Sequence, residues 1–387
     1  MSAAPARGSD VLSQRLGRVG PDPGPLVADV LRRRARRPSG RRPRVLVIAN
    51  IGHGNVGDEA VFAGLVPHLT GAADVTAVAR DPVRVHSVHG VQSVPLLSFE
   101  VCRSLLGTDV IAVGGGGMFG AGLPPLVRVL PFALCFARLV LRKRLLFQAV
   151  GAYQTTPQPT LAALRLAGRL SETVLVRDEA SVAVFRGGRA GRGVQPVLVG
   201  DPAIFLAPAG AEDAWDVLGS GGATSSLPPL VLSLKSSPDQ LLTITVIDVL
   251  GAVAQWWCDR RSSDVVVLPL SDIGDYGLGP SWSDAVLGQR LSQRLRDPRR
   301  VKILPCDLHP ALAKAVIGEA AAVIAMRLHA SIFAWSMGVP LLTLPFEPKT
   351  DSWVRQIEGD AVPLSQVSPE AIVAWLDHTS GANQVYQ

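Results

Sequence analysis

The feature that most constrains this chain is a repeated alternation. Runs apolar on both faces end in glycine-rich or polar turns, and helical stretches follow them. The first run, Arg-Val-Leu-Val-Ile-Ala at 44–49, stops at Asn50 and a turn rich in glycine. A strand with no polar face has to be covered on both sides, which a parallel sheet flanked by helices provides. Similar runs recur at 75–79, 110–113, 145–150, 174–176 and 197–199, with helical stretches at 59–69, 126–141 and 160–170. A second alternation follows, with runs at 230–234, 265–269, 301–304, 321–324 and 341–344 and a helix at 241–257. Strand, helix, strand repeated in this way predicts a doubly wound α/β fold. The predicted architecture is two Rossmann-like domains, 44–210 and 229–387, facing a central crevice. A Gly/Pro-rich linker at 211–228 would join them.

Composition matters chiefly through charge. The net charge of +6 and pI near 9.5 suggest a nucleic-acid binder. Ten Arg against three Asp within 1–43 give that segment +7, however, and leave the rest of the chain at −1. With aromatics at 5%, a base-stacking surface is excluded as well. The 1–43 segment reads as a disordered or partly helical tail, with at most one short basic helix around Leu26–Arg37, and its charge suggests peripheral contact with a membrane's inner face. No continuous apolar h-region marks a secretory signal, so a cytoplasmic chain is expected. The stretch 123–141 is apolar but carries Arg128, Pro131 and Arg138, which a spanning helix rarely tolerates. The four cysteines form no C-x-x-C pair; His86 and His89 stand three apart in a Val-rich, strand-like segment that would point them to opposite faces, and no other histidine spacing suits a metal, so no metal site is expected.

Gly115-Gly116-Gly117-Met118-Phe119-Gly120 formally matches a dinucleotide loop, but no acidic residue occurs from 110 to 171 to receive a ribose. Either that turn is merely tight, or a ligand approaches its backbone. The first loop, 50–59, opens a helix with Asp58 and Glu59, which suit a polyol hydroxyl or simply the helix dipole. Arg177-Asp178 ends one apolar run, with Asp178 as a plausible cap. Arg327-Leu328-His329 ends another, and Lys349 follows the run at 341–344. Cations and a histidine at strand ends lie where open α/β sheets bind ligands. His suits proton transfer near neutral pH, and Arg suits carboxylate or phosphate.

These motifs together resemble the polysaccharide pyruvyl transferase family from about residue 45 to 349. The resemblance rests on Asn55-Val56-Gly57-Asp58-Glu59-Ala60, the glycines 114–117, Gln148-Ala149-Val150-Gly151, Arg177-Asp178 with Ser181, and Asp201-Pro202-Ala203. It rests most on Arg327-Leu328-His329-Ala330 and on Gly338 and Pro340 leading to Pro348 and Lys349. The Arg-rich N-terminal extension lies outside it. The resemblance implies a GT-B-like fold and transfer of pyruvate from phosphoenolpyruvate, as co-substrate without further cofactor, to a sugar or polysaccharide precursor as a ketal. His329 would be the general acid, with Asp58 acting on the acceptor. Arg177, Arg327, Leu328, Lys349, Gly115 and Gly116 would bind the donor, and Asn55, Gly57 and Glu59 the acceptor. The competing reading is a nucleotide-sugar glycosyltransferase on the same fold.

Overall fold

A computed structural model describes residues 16–33, 41–187, 194–220, 225 and 227–383. The chain divides into two compact units. The first comprises Val19–His53 and Asp58–Leu206, and the second comprises Gly54–Gly57 with the chain from Ala207 on.

The first unit is built on an all-parallel sheet. Its strands are β1 (Arg44–Ile48), β2 (Asp74–Ala79), β3 (Gln92–Pro95), β4 (Val110–Val113), β5 (Gly116–Phe119), β6 (Arg144–Ala152), β7 (Thr173–Val176) and β8 (Pro196–Leu198). The order is β3-β2-β1-β4-β6-β7-β8, with β5 paired to β6. Its two faces carry separate apolar clusters. One holds Val45, Val47, Phe62, Leu65 and Leu146; the other holds Ile111, Leu134, Phe147 and Leu161. That is what strands apolar on both faces require.

The structure corrects the expected tail boundary. Residues Pro23–Arg33 form a helix whose Val27, Ala28 and Leu31 are buried in the first of those clusters. Arg144 also donates to the Val30 carbonyl at 3.2 Å. A short amphipathic segment inside an Arg-rich stretch is therefore a core element. Arg41 pairs with Asp109, and Arg42 donates to the Ala73 carbonyl at 3.1 Å, so part of the tail's charge is held by the unit itself. Residues 1–15 and 34–40, to which the expectation of disorder also applied, lie outside the described residues. His86 and His89, expected on a strand, stand instead on the helix Pro82–His89, which Asp81 caps and Gly90 ends at φ 66°.

The second unit has β9 (Leu230–Ser233), β10 (Val265–Val267), β11 (Val301–Ile303), β12 (Ala322–Ala325), β13 (Leu341–Thr343) and β14 (Asp360–Ala361). They form a parallel sheet in the order β11-β10-β9-β12-β13-β14. The helix Gln240–Arg261 is long and apolar enough to cross a membrane by length and composition. Its Val246, Ile247, Leu250, Val253 and Trp257 are nevertheless buried in this unit's core, as in any core helix. The expected linker is also corrected. Ala211–Ser220 is a helix of the second unit, tied to it by Trp215 Nε1 donating to Glu319 at 2.9 Å. The chain passes between units at Leu206–Ala207 instead.

Candidate active site

In an open parallel sheet, ligands bind beyond the carboxyl ends of the strands where the strand order reverses. In the second unit that point lies between β9 and β12. Lys235 follows β9, and Arg327 with His329 follows β12 at the start of the helix Leu328–Met337. The turns after the flanking strands β10 and β13 add Asp275 and Tyr276, and Glu347, and the helix Pro348–Ile357 that Glu347 precedes adds Lys349.

These side chains form one network. Lys235 Nζ lies 2.8 Å from Asp275 and 3.4 Å from Glu347, and Lys349 Nζ lies 2.9 Å from the other Glu347 oxygen. The Tyr276 hydroxyl donates to Glu347 at 2.6 Å, and Lys235 also stands 5.2 Å from the Tyr276 ring centroid. Arg327 is buried, held by both oxygens of Asp284 at 2.5 Å and by Asp275 at 2.7 Å. Asp284 in turn accepts from the Leu270 and Ser271 amides, which locks the guanidinium to the end of β10.

Burial lowers the pKa of the Lys235 ammonium, as does nearby Arg327, against the pull of Asp275 and Glu347. Burial works to raise the Glu347 carboxyl, but Lys349, Lys235 and the Tyr276 hydroxyl overcome it and hold it at about 2. Asp275 is lowered in the same way, burial being outweighed by Arg327 and Lys235. Glu347 and Asp275 therefore stay ionised at neutral pH. Three cations and three carboxylates are interleaved here, and two of the cations are lysines whose partners can exchange.

His329 sits in the second residue of its helix. The segment Gly54–Gly57 reaches it by pairing with the turn after β10. Asn55 bridges Ser271, and the Val56 amide donates to the Leu270 carbonyl at 2.9 Å. The Asn55 side chain accepts from the Gly57 amide, which fixes that turn. A Cβ on Gly57 would overlap the His329 imidazole, so glycine there is a condition for the ring's position. Asn55, Gly57, Arg327, Leu328, His329 and Lys349 thus all belong to the second unit. Leu328 is buried, as an anchor for its helix rather than a surface contact.

The other expected site residues belong to the first unit, with Asp58, Glu59, Gly115 and Gly116 at its own order reversal between β1 and β4 and Arg177 at the end of β7. Asp58 accepts from Asn50 Nδ2 at 2.7 Å, and its carboxylate borders Gly116. Glu59, expected to meet an acceptor, is buried with both oxygens engaged. It accepts from the Gly52 amide at 2.7 Å and lies 2.6 Å from His89 Nε2. Both contacts brace the first loop. Arg177, expected to bind the donor, is buried against Asp201 at 3.0 Å, with Tyr153 also in reach. Side chains at Gly117 and Gly151 would collide with its guanidinium. Gly114, Gly115 and Gly116 all have φ near +100°, and a Cβ on Gly114 would strike the Gln148 carbonyl. The left-handed backbone at all three, with the close approach at Gly114, confines these positions to glycine.

Sequence reasoning missed Lys235, Asp275, Tyr276, Asp284 and Glu347. Lys235 was open to it, since it ends an apolar strand as Arg327 does. The acids lie in irregular turns with no pattern to mark them. Among the described residues no group of three or more His, Cys, Asp or Glu is placed to hold a metal ion.

A family model described as polysaccharide pyruvyl transferase matches residues 55–346. No curated protein matches the sequence. Solved structures show the same fold at low identity. One is a putative UDP-N-acetylglucosamine 2-epimerase from Listeria monocytogenes, with TM-score 0.57 and 13% identity over 87% of this chain and 88% of that one. The Neisseria meningitidis UDP-GlcNAc 2-epimerase bound to UDP-GlcNAc gives 0.54 and 11%, over 87% and 93%. Anabaena Alr3699/HepE in complex with UDP and glucose gives 0.51 and 16%, over 88% and 94%. All three share the GT-B-like α/β architecture.

Proposed function

The chain belongs to the polysaccharide pyruvyl transferase family, and from that premise we propose that it moves the pyruvyl group of phosphoenolpyruvate onto two hydroxyls of a sugar. The observation that carries the reading is the placement of His329 and of the Lys235–Glu347–Lys349 network beyond the carboxyl ends of β9, β12 and β13, at the order reversal of one sheet. A small donor bearing carboxylate and phosphate needs flexible cations and one proton donor, and this cluster supplies both.

In the proposed sequence, His329 protonates the methylene carbon of the donor. The adjacent carbon gains oxocarbenium character, and a first sugar hydroxyl adds to it. A second hydroxyl then forms its own bond to that carbon as the bond to phosphate breaks. One hydroxyl proton restores His329, and the other leaves on the phosphate, so the products are a cyclic ketal and hydrogen phosphate. Lys235 and Lys349 would exchange Glu347 for the donor's anionic oxygens, stabilising charge that moves onto the leaving phosphate. Arg327, fixed by Asp284, would set the positive field at the strand end and position His329 two residues on. Asp58 would serve the acceptor hydroxyl. The donor being a product of central metabolism, the reading carries with it a cytoplasmic site of action.

The test incubates the purified protein with phosphoenolpyruvate and a panel of pyranosides, following phosphate release and the mass of the ketal product. His329→Ala should retain donor binding and lose roughly 10²–10⁴-fold in turnover. A protein that releases no phosphate with any acceptor, yet binds a nucleotide-sugar, would be a glycosyltransferase instead.

A further inference from the structure

The helix Pro125–Leu139 covers one face of the first unit's sheet and turns a second apolar stripe outward. Leu134, Cys135 and Ala137 point into the core. On its other side Val129 is 59% exposed, Phe132 48%, Phe136 55% and Leu139 61%. At spacings of three and four these residues share one helical face. The face continues past the helix: Val140 and Leu106 are exposed, and Lys143 Nζ donates to the Leu106 carbonyl at 2.8 Å. The adjoining helix Gln158–Leu170 adds exposed Leu166.

Soluble monomers rarely leave so continuous an apolar surface bare, and two phenylalanines within it mark a binding face. What it binds is indicated by charge. From 110 to 171 the chain has seven Arg and Lys and no Asp or Glu. Around the stripe, Arg128, Arg142 and Arg169 are exposed and make no ion pair with any described carboxylate. A second copy seated by two-fold symmetry would bring two arginine-edged patches together with no carboxylate in the 110–171 stretch of either to offset them. An apolar stripe edged by cations is instead complementary to an anionic bilayer, with rings among the acyl chains and arginines among the headgroups. The 15-residue helix, with Pro131 inside it, would lie in the interface rather than cross it.

We propose that this face docks the protein on anionic lipid surfaces. The claim is independent of the pyruvyl-transfer reading and moves the site of membrane contact from the Arg-rich tail to a folded helix.

The test is flotation of the full chain with vesicles of phosphatidylcholine alone, or with a third phosphatidylglycerol. The partition coefficient should rise with the anionic lipid and fall with salt. Phe132→Ser/Phe136→Ser should lower it at least about tenfold, as should Arg142→Gln/Arg169→Gln at low salt, since each cation near such a surface contributes several-fold. Both variants replace exposed side chains, and an unchanged circular dichroism spectrum and melting temperature would confirm that they fold. Binding equal to wild type in the phenylalanine variant would overturn the proposal and return the contact to the tail. A wild-type dimer that the same variant dissociates, without lipid binding, would overturn it in favour of a second copy.

Discussion

At the scale of single residues, the site depends on fits that a sequence records only in part. Arg327, Leu328 and His329 were legible because they follow an apolar run in unbroken order. Lys235 was open to the same reading, since it too ends an apolar strand, but its pairing with Glu347 was not, because it joins residues 112 positions apart. Gly57 belongs in sequence to the expected acceptor motif, and in the structure it leaves room for the His329 ring. Gly57→Ala should therefore displace the imidazole and lower turnover about 10²-fold, as small misplacements of a catalytic group do. Donor affinity and folding should change much less, which separates a positional effect from unfolding. Glu347→Gln tests the exchange of partners on the lysines. Removing the charge that Lys235 and Lys349 now face should tighten phosphoenolpyruvate binding several-fold in a direct titration. Weaker binding would mean that Glu347 is needed to aim them.

At the scale of elements, the strands were legible almost throughout, and the helices less so. Buried parallel strands must be apolar on both faces, and nothing else of five or six residues looks like that. The helix Pro82–His89 escaped because its valines alternate with polar residues, while its cap at Asp81 and its Pro82 were the better signals. The helix Pro23–Arg33 was legible as a short basic helix in about this place, but its burial was not, because arginines surround Val27, Ala28 and Leu31, the residues that seat it. The junction between β10 and β12 shows how an element can depend on one ion pair. Asp284 neutralises a fully enclosed Arg327 and also accepts from two backbone amides of the turn after β10. Asp284→Ala would strand a buried charge, and a loss of about 3–5 kcal/mol is expected for breaking such a pair. Chemical denaturation would register it as a lower midpoint. Arg327→Met with Asp284→Leu should recover part of the loss while activity stays absent, because apolar replacement removes the stranded charge but not the need for the cation.

At the scale of the whole molecule, two units with separate cores make stability a property of each rather than of the chain. Titration can be assigned to one of them. Lys314 lies in the helix Pro310–Gly318 of the second unit, and burial pushes its ammonium down to about 7. The unfolded chain keeps that proton up to its ordinary value of 10.5, so between these limits the unfolded state binds more protons than the folded one. Stability must then rise with pH across that window, by on the order of 4 kcal/mol if nothing else titrates. Glu347 works at the opposite end. Its folded value of about 2 lies below the ordinary carboxyl value of 4.5, so its contribution is complete above 4.5 and disappears as pH falls toward 2. Both groups are in the second unit, and the first should show neither effect. Urea unfolding followed by tryptophan fluorescence separates the two cases, because all seven tryptophans lie at or beyond position 215, within the second unit. The fluorescence midpoint should climb from pH 7 to pH 10, and Lys314→Met should flatten that slope. A slope unchanged in the variant would mean that the proton is released elsewhere.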